Sequence, residues 1–387
     1  MKIIRNILLM GAVVLSAVSC VCSAEKQAQK EFEEIMERNK AVGLAVVAVK
    51  DGRVVYNETF GYSDLDATEA WEKEDVLRIA SISKSFTATA ILQLVEQGKL
   101  SLDADVSDIM GFTIRNPHYP DTPITVKMLL SHTSSMSDAN GYFSFDYLHR
   151  DCSPTWEKAW NSYQPGTGYQ YCNLGFNTLG AIIEKCSGVR FDRYVYENIL
   201  KPLGVYAHHN VNELDPEKFV KIYRYSHRDS SFKRTESAYE LDPDALSEYK
   251  LGYSTTLFSP TGGLKISAQD LARVMMMHMN HGTLDGVKIL DRESAILMQS
   301  ELTPTDHEGE HYGMAMIRTN DLLSGQRLLG HDGLALGAYT AMYWHPEDNY
   351  GFVVMTNGCT GVSDNDIFAN ILCESVECLY RNFVERK

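Results

Sequence analysis

The chain has 387 residues, of which 44% are hydrophobic and 22% charged, a globular composition with ample length to bury a core. Its formal net charge of -15 argues against a nucleic-acid partner, because an acidic surface repels phosphates at long range. No fixed-period repeat and no low-complexity tract is present, which excludes solenoids and long disordered regions.

The first element in chain order is a targeting segment, residues 1–24. Lys2 and Arg5 precede a nearly unbroken apolar run from Ile7 to Val18, too short to span a bilayer comfortably but suited to a signal-peptide core. Two processing points compete. Cleavage after Ala24 would follow the small residues Cys22-Ser23-Ala24. Alternatively the leader ends at Ser19, because Ala17-Val18-Ser19-Cys20 resembles a loose bacterial lipobox, and Cys20 would then be lipidated. Either outcome predicts export to the periplasm or cell envelope, and a lipid anchor at Cys20 would be the one membrane attachment.

Residues 25–41 form an amphipathic pattern with Phe32, Ile35 and Met36 on one helical face. Leu44 to Lys50 and Arg53 to Tyr56 flank Asp51-Gly52 and predict a β-hairpin. Residues 84–98 are strongly helical and stop at Gly98. From about 100 to 255 the pattern gives shorter helices and long loops. In that stretch Arg224, Arg228, Lys233 and Arg234 interleave with Tyr223, Tyr225 and His227, which we read as a solvated loop. A helix over 267–281 starts at a Ser267 N-cap. Strands follow at Tyr312 to Arg318, Ala338 to Trp344 and Tyr350 to Thr356, the last two joined by a turn at 345–349, and a final helix covers 365–383.

These elements predict an α/β (α+β) fold over 25–385. An antiparallel sheet is built from both chain ends and flanked by the terminal helices, with a mainly helical subdomain, roughly 100–255, inserted in it. The groove between two such bodies is where pockets form. Six cysteines lie beyond the leader: Cys152, Cys172, Cys186, Cys359, Cys373 and Cys378. Export permits disulfides, a domain of this size does not need them, and no zinc-ligand spacing is present.

Three constellations carry chemistry. The first is Ser81-Ile82-Ser83-Lys84. At the start of a helix, residues three apart share a face, so the Lys84 amine can approach the Ser81 hydroxyl, and the helix N-terminus stabilises developing negative charge. Such a lysine acts as a base only when neutral, which requires burial or neighbouring cations. The second is Tyr171-Cys172-Asn173, where a phenol can relay a proton and an amide can orient a carbonyl or the lysine. The third is Gly330-His331-Asp332-Gly333, which on an edge strand could face the nucleophile and present a backbone N–H.

In this order the three motifs resemble those of the serine β-lactamase and penicillin-binding protein family, in the branch of class C β-lactamases, D-alanyl-D-alanine carboxypeptidases and related esterases and aminopeptidases. Ile124 to Ser135, Pro202-Leu203-Gly204 and Gly262 to Arg273 are also similar to family segments. The resemblance implies that Ser81 is the acylated nucleophile, Lys84 the acylation base and Tyr171 the group that activates water or protonates the leaving group. It implies that Asn173 positions substrate, that His331, Asp332 and Gly333 form the third substrate-binding motif, and that the N–H groups of Ser81 and Leu334 form the oxyanion hole. His132 and Thr133 are structural in this comparison.

Two positions depart from the pattern. Asp332 stands where Thr is frequent. Facing the groove it would repel a penicillin or D-Ala carboxylate, favouring an esterase, amidase or aminopeptidase, and paired with a loop donor it would say nothing about substrate. Ser135 stands where Gly is usual. The expected function is therefore a serine hydrolase of an ester, amide or peptide, with no metal or organic cofactor and a small-molecule or peptidic substrate, cell-wall-derived peptides among them. The alternative is a non-catalytic penicillin-binding-like sensor, whose signature would be loss of Ser81, Lys84 or Tyr171.

Three further patterns point elsewhere. His307-Glu308-Gly309-Glu310-His311 matches the H-E-x-x-H zinc pattern, which works only on a helix, and Pro304 and Gly309 argue against one. His208-His209 are adjacent, so their side chains diverge, and a solvated loop is expected there. Cys172 has no His-Asn arrangement to make it a nucleophile and is read as a small packing residue.

Overall fold

A computed structural model describes residues 24–385; the leader read at the N-terminus, with Cys20, lies outside the described residues except for Ala24. The chain opens with helix α1 (24–39). Strands β1 (Gly43–Lys50), β2 (Arg53–Asp64) and β3 (Glu69–Ala70) follow. Helix α2 (Ser83–Glu96), helix α3 (Asn173–Ser187) and helix α4 (Ala268–Met279) belong to the middle of the chain. The last part supplies β4 (Thr303–Pro304), β5 (His311–Tyr312), β6 (Ile317–Thr319), β7 (Leu328–Ala335), β8 (Ala338–His345) and β9 (Tyr350–Thr356), then helix α5 (Asn370–Leu379).

The main sheet runs β4-β5-β6-β7-β8-β9-β1-β2-β3 and is antiparallel throughout. Its two halves join where β1 pairs with β9, Val46 opposite Val354, so both chain ends build one sheet. The continuous apolar run of β1 reflects burial on both faces. Leu44, Val46 and Ala48 pack with Phe32 and Ile35 of α1 and with Leu372 and Val376 of α5. Ala45, Val47 and Val49 turn the other way, into the core shared with Leu271 and Met275 of α4 and with Phe86 of α2.

Residues 83–94 are buried around the whole circumference of α2, so that helix shows no polar face. Its polar side chains find partners inside: Thr87 Oγ1 donates to Pro260 O and Gln93 Nε2 to Ile289 O. Helix α4 starts as its sequence predicts, with the Ser267 hydroxyl accepting from Asp270 N.

Several expectations need correction. The basic stretch at 223–234 is a hairpin, Ile222–Ser226 paired with Ser231–Thr235, and Arg234 binds Asp64 and Glu236. Tyr312 to Arg318 is broken into β5 and β6 by a tight turn in which Ala315 takes a left-handed φ of 59°. His208 and His209 are buried, and His208 sits on a short strand, Ala207–His208, beside Lys265–Ile266. The final helix is shorter than 365–383, running as Asn370–Leu379 and continuing in a wide turn to Val384. All six described cysteines are free, and Cys152 among them is exposed.

Candidate active site

Ser81 lies in a 3-10 turn, Ala80–Ile82, just before α2. The preceding residue, Ala80, is held at φ 47°, a left-handed conformation that costs a non-glycine residue about 1 kcal/mol or more. The Ser81 side chain is not spent on capping: the formal cap of α2 is Ile82, with no side-chain bond. One turn on, Lys84 is completely buried, and its Nζ lies 3.0 Å from Ser81 Oγ, 2.8 Å from Asn173 Oδ1 and 3.0 Å from Thr261 O. Burial lowers the lysine pKa to about 7, opposed by the negative charges of Asp138 and Asp332. Near neutral pH a large fraction of Lys84 is therefore an uncharged amine facing a serine hydroxyl.

Asn173 is oriented by a residue that the sequence did not single out. Asp138 Oδ2 accepts from both the backbone N and Nδ2 of Asn173, each at 2.8 Å, and Asp138 Oδ1 accepts from Leu174 N at 2.9 Å. The carboxylate caps α3 from outside the helix, because the cap residue Cys172 offers no side-chain bond of its own. With Nδ2 held by Asp138, the amide oxygen of Asn173 must face Lys84 and Thr261 Oγ1.

Tyr171 places its ring 4.6 Å from Lys84 Nζ, and an interaction with the Ser81 side chain partly opposes the effect of burial on its phenol. Burial pushes the phenol well above its ordinary pKa, so it is protonated at neutral pH. His132 packs against Tyr171 with ring centroids 4.3 Å apart, and its Nδ1 accepts from Cys172 N, holding the Tyr171–Asn173 segment in place. Cys172 is itself buried, with burial and Asp138 raising its thiol pKa well above normal, which fits a packing residue. Ser135 takes the left-handed conformation, φ 60°, that makes glycine the easier residue there, and its hydroxyl binds Asn116 Nδ2.

The third motif lies on β7, the edge strand on which its sequence could face the nucleophile, although the residue pattern alone marks no strand there. Its first residues, Leu328–Gly330, pair with β6, but from His331 onward that side has no strand partner among the described residues, so this end is a local edge. A Cβ on Gly333 would lie 2.3 Å from Ile79 O and 2.5 Å from Thr340 Oγ1. Glycine is what lets β7 press against the turn that carries Ser81. His331 is buried and neutral, its pKa lowered to about 3 by burial and by Lys84. Its Nδ1 is 2.6 Å from Asp332 O and its Nε2 3.3 Å from Tyr312 OH, which assigns the proton to Nδ1. Asp332 points to the opposite face of the pleat, where Tyr343 OH donates to it at 3.2 Å, and it still reaches the wall of the cavity. Burial raises its carboxyl pKa.

Ser81, Tyr171, Asn173, His331, Asp332 and Leu334 line one cavity of about 420 Å³. Residues 307–311, which carry the zinc-like pattern, form a turn and the start of β5 rather than a helix, so the two imidazoles are not stacked one turn apart.

Residues 28–373 match the family model described as Beta-lactamase. The chain belongs to the Beta-lactamase family. Among its relatives is Penicillin-binding protein 4 of Amycolatopsis lactamdurans, 26% identical over 362 residues, with 89% of each chain covered. Protein flp of Staphylococcus aureus (strain N315) is 25% identical over 364 residues, covering 86% of this chain but 63% of that protein, so this chain spans less than two thirds of that relative's length. The structure is similar to the octameric penicillin-binding protein homologue from Pyrococcus abyssi, with a TM-score of 0.72, 26% identity, and coverage of 91% of this chain and 76% of that one. It shares its fold with the D-amino acid amidase of Ochrobactrum anthropi SV3, with a TM-score of 0.72 at 18% identity over 93% and 98% of the two chains. The β-lactamase fold thus covers most of the chain, and the family is one of serine hydrolases. Within this family member, sequence reasoning located Ser81, Lys84, Tyr171 and Asn173 at one point in space but missed Asp138 and Thr261, which fix Asn173 and Lys84.

Proposed function

We propose that the protein is a serine acyl-hydrolase that cleaves amides or esters through a Ser81 acyl-enzyme, acting after export. The observation that carries the reading is the buried Lys84 amine, with a pKa near 7, hydrogen-bonded to Ser81 Oγ. In acylation neutral Lys84 takes the hydroxyl proton as Oγ bonds to the substrate carbonyl carbon. The oxyanion is received by the N–H groups of Ser81 and Leu334, both on the cavity wall. As the tetrahedral intermediate collapses, Tyr171 donates its proton to the leaving amine or alcohol and regains one from the Lys84 ammonium. Water then attacks the ester, giving a proton to the same Lys84–Tyr171 pair, and the acid product leaves with Oγ reprotonated. Asn173, anchored by Asp138, orients the lysine and the substrate, and His331 and Gly333 shape the opposite wall.

The walls also bear on substrate class. Asp306, Glu310, Asp332 and Asp366 line the cavity, and no arginine lies on its wall among the described residues. A carboxylate placed beside Asp332 would be repelled, whereas an amine-bearing acyl group would be accommodated. This supports an amidase, aminopeptidase or esterase over a penicillin hydrolase or carboxypeptidase. Turnover of p-nitrophenyl acetate and of D-aminoacyl amides by the wild type, and its loss in Ser81→Ala, tests the proposal. Equal turnover by both proteins, or none by the wild type across esters, amides and nitrocefin, would refute it and favour a binding role.

A further inference from the structure

Beyond Leu334 the cavity at Ser81 gives way to a second and larger one, of about 1100 Å³, and Leu334 lies on the wall of both. The two cavities adjoin at the exposed Leu334, at the free end of β7. On the wall of the second is Arg78, three residues before the nucleophile and half-buried on a short strand paired with Lys265. Arg78 Nε donates to Gly262 O at 2.7 Å, and among the described residues its side chain has no other hydrogen bond and no carboxylate partner. Burial lowers its pKa from the usual arginine value, opposed by electrostatic interactions with Tyr239 and Tyr142. Lys265, buried beneath, donates to His209 O and also lacks a carboxylate partner. Acidic residues of the same cavity, Asp146, Glu240 and Glu248, are exposed, as is Lys250.

A guanidinium removed from water without a counter-ion is costly unless something pairs with it. Its planar fork matches a carboxylate in two parallel bonds. Exposed acids on the walls are screened by solvent and salt, whereas the partly buried Arg78 is screened less. Gly262, whose carbonyl accepts from Arg78 Nε, directly follows Thr261, whose carbonyl accepts from Lys84 Nζ, so the guanidinium is anchored one residue along the chain from a partner of the Ser81–Lys84 pair.

We propose that Arg78 is an anion subsite of the substrate groove, receiving a carboxylate carried by the substrate away from the scissile bond. The groove then has a polarity: acidic at the Asp332 end and cationic at the Arg78 end, so that a substrate with an amine at one side and a carboxylate at the other binds in one direction. This rests on the acyl-hydrolase reading above.

Two pairs of esters test the proposal. One pair places the carboxylate in the acyl group, p-nitrophenyl hemiglutarate against p-nitrophenyl valerate. The other places it in the leaving group, 3-carboxyphenyl acetate against phenyl acetate. In at least one pair the wild type should prefer the carboxylate member in kcat/KM by tenfold or more, mainly through KM, and the preference should shrink as salt is raised. Arg78→Gln should abolish that preference, and Arg78→Lys should retain part of it, because the charge remains without the fork. Wild-type turnover of the neutral esters with no carboxylate preference in either pair overturns this inference alone and needs no variant. An equal fall for both members of a pair in Arg78→Gln, showing a merely structural arginine, also overturns it. If none of the four esters is turned over, the acyl-hydrolase reading falls first and this inference with it.

Discussion

Replacing Gly333 by alanine probes the contact between β7 and the nucleophile turn. The added Cβ would sit 2.3 Å from Ile79 O, 2.5 Å from Thr340 Oγ1 and 3.1 Å from Ala80 Cβ. An ordinary carbon–oxygen contact is about 3.3–3.6 Å, so β7 and the Ile79–Ser81 backbone must separate by roughly 1 Å. Neither side gives easily, because β7 is fixed by its register with β8 and Ile79 N is bonded to Leu264 O. Overpacking of this kind costs about 1–3 kcal/mol of stability. Because Leu334 and Ser81 would part at the same time, a displacement of that size is expected to lower kcat by on the order of 100-fold. Urea denaturation gives the first quantity and steady-state ester hydrolysis the second. Wild-type stability together with wild-type kcat in Gly333→Ala would show that β7 does not abut the nucleophile turn as described.

The pH dependence of kcat/KM follows from Lys84. The neutral amine is the active form and its pKa is about 7, so activity should rise with pH through 7 and lie about tenfold below its plateau at pH 6. A profile flat between pH 5.5 and 8.5 would remove Lys84 as the base. The same depressed pKa means that the unfolded chain binds more protons than the folded one between about 7 and 10.5. The contribution of Lys84 to stability should therefore increase with pH over that window, measurable as the midpoint difference between wild type and Lys84→Met. Asp138→Ala should cost about 0.5–2 kcal/mol through loss of the α3 cap and lower kcat by freeing Asn173. It should also shift the acid limb of the pH profile to lower pH, since Asp138 supports the Lys84 charge; a fixed limb would sink that electrostatic role.

What the sequence made legible was local. The β1 apolar run, the Ser267 cap and the Ser81–Lys84 spacing each signal through neighbours within a few positions. The residue pattern gives no strand signal over β7, although its motif suits an edge strand, because Gly330 and Gly333 are poor strand formers; both are glycine because a Cβ would strike Met342 O or Ile79 O, which only the tertiary packing reveals. Asp138 is a lone acid in a loop, 35 residues from the Asn173 it holds, and no periodicity marks it. The His208-His209 pair pointed to a solvated loop because adjacent side chains diverge, yet both residues are buried, His208 Nδ1 accepts from Asn210 N, and His209 packs on Phe191. Asp332 was open to two readings from sequence, and its geometry contains parts of both: a tyrosine donor on the adjacent strand and a place on the cavity wall.

The proposed reaction passes through acylation of Ser81. Incubation of the wild-type protein with a fluorophosphonate, followed by proteolysis and mass spectrometry, tests it most directly. A single covalent adduct is expected on the peptide containing Ser81, formed faster as pH rises through 7 and absent in Ser81→Ala. An adduct on another residue, or unaltered hydrolytic activity in Ser81→Ala, would contradict it.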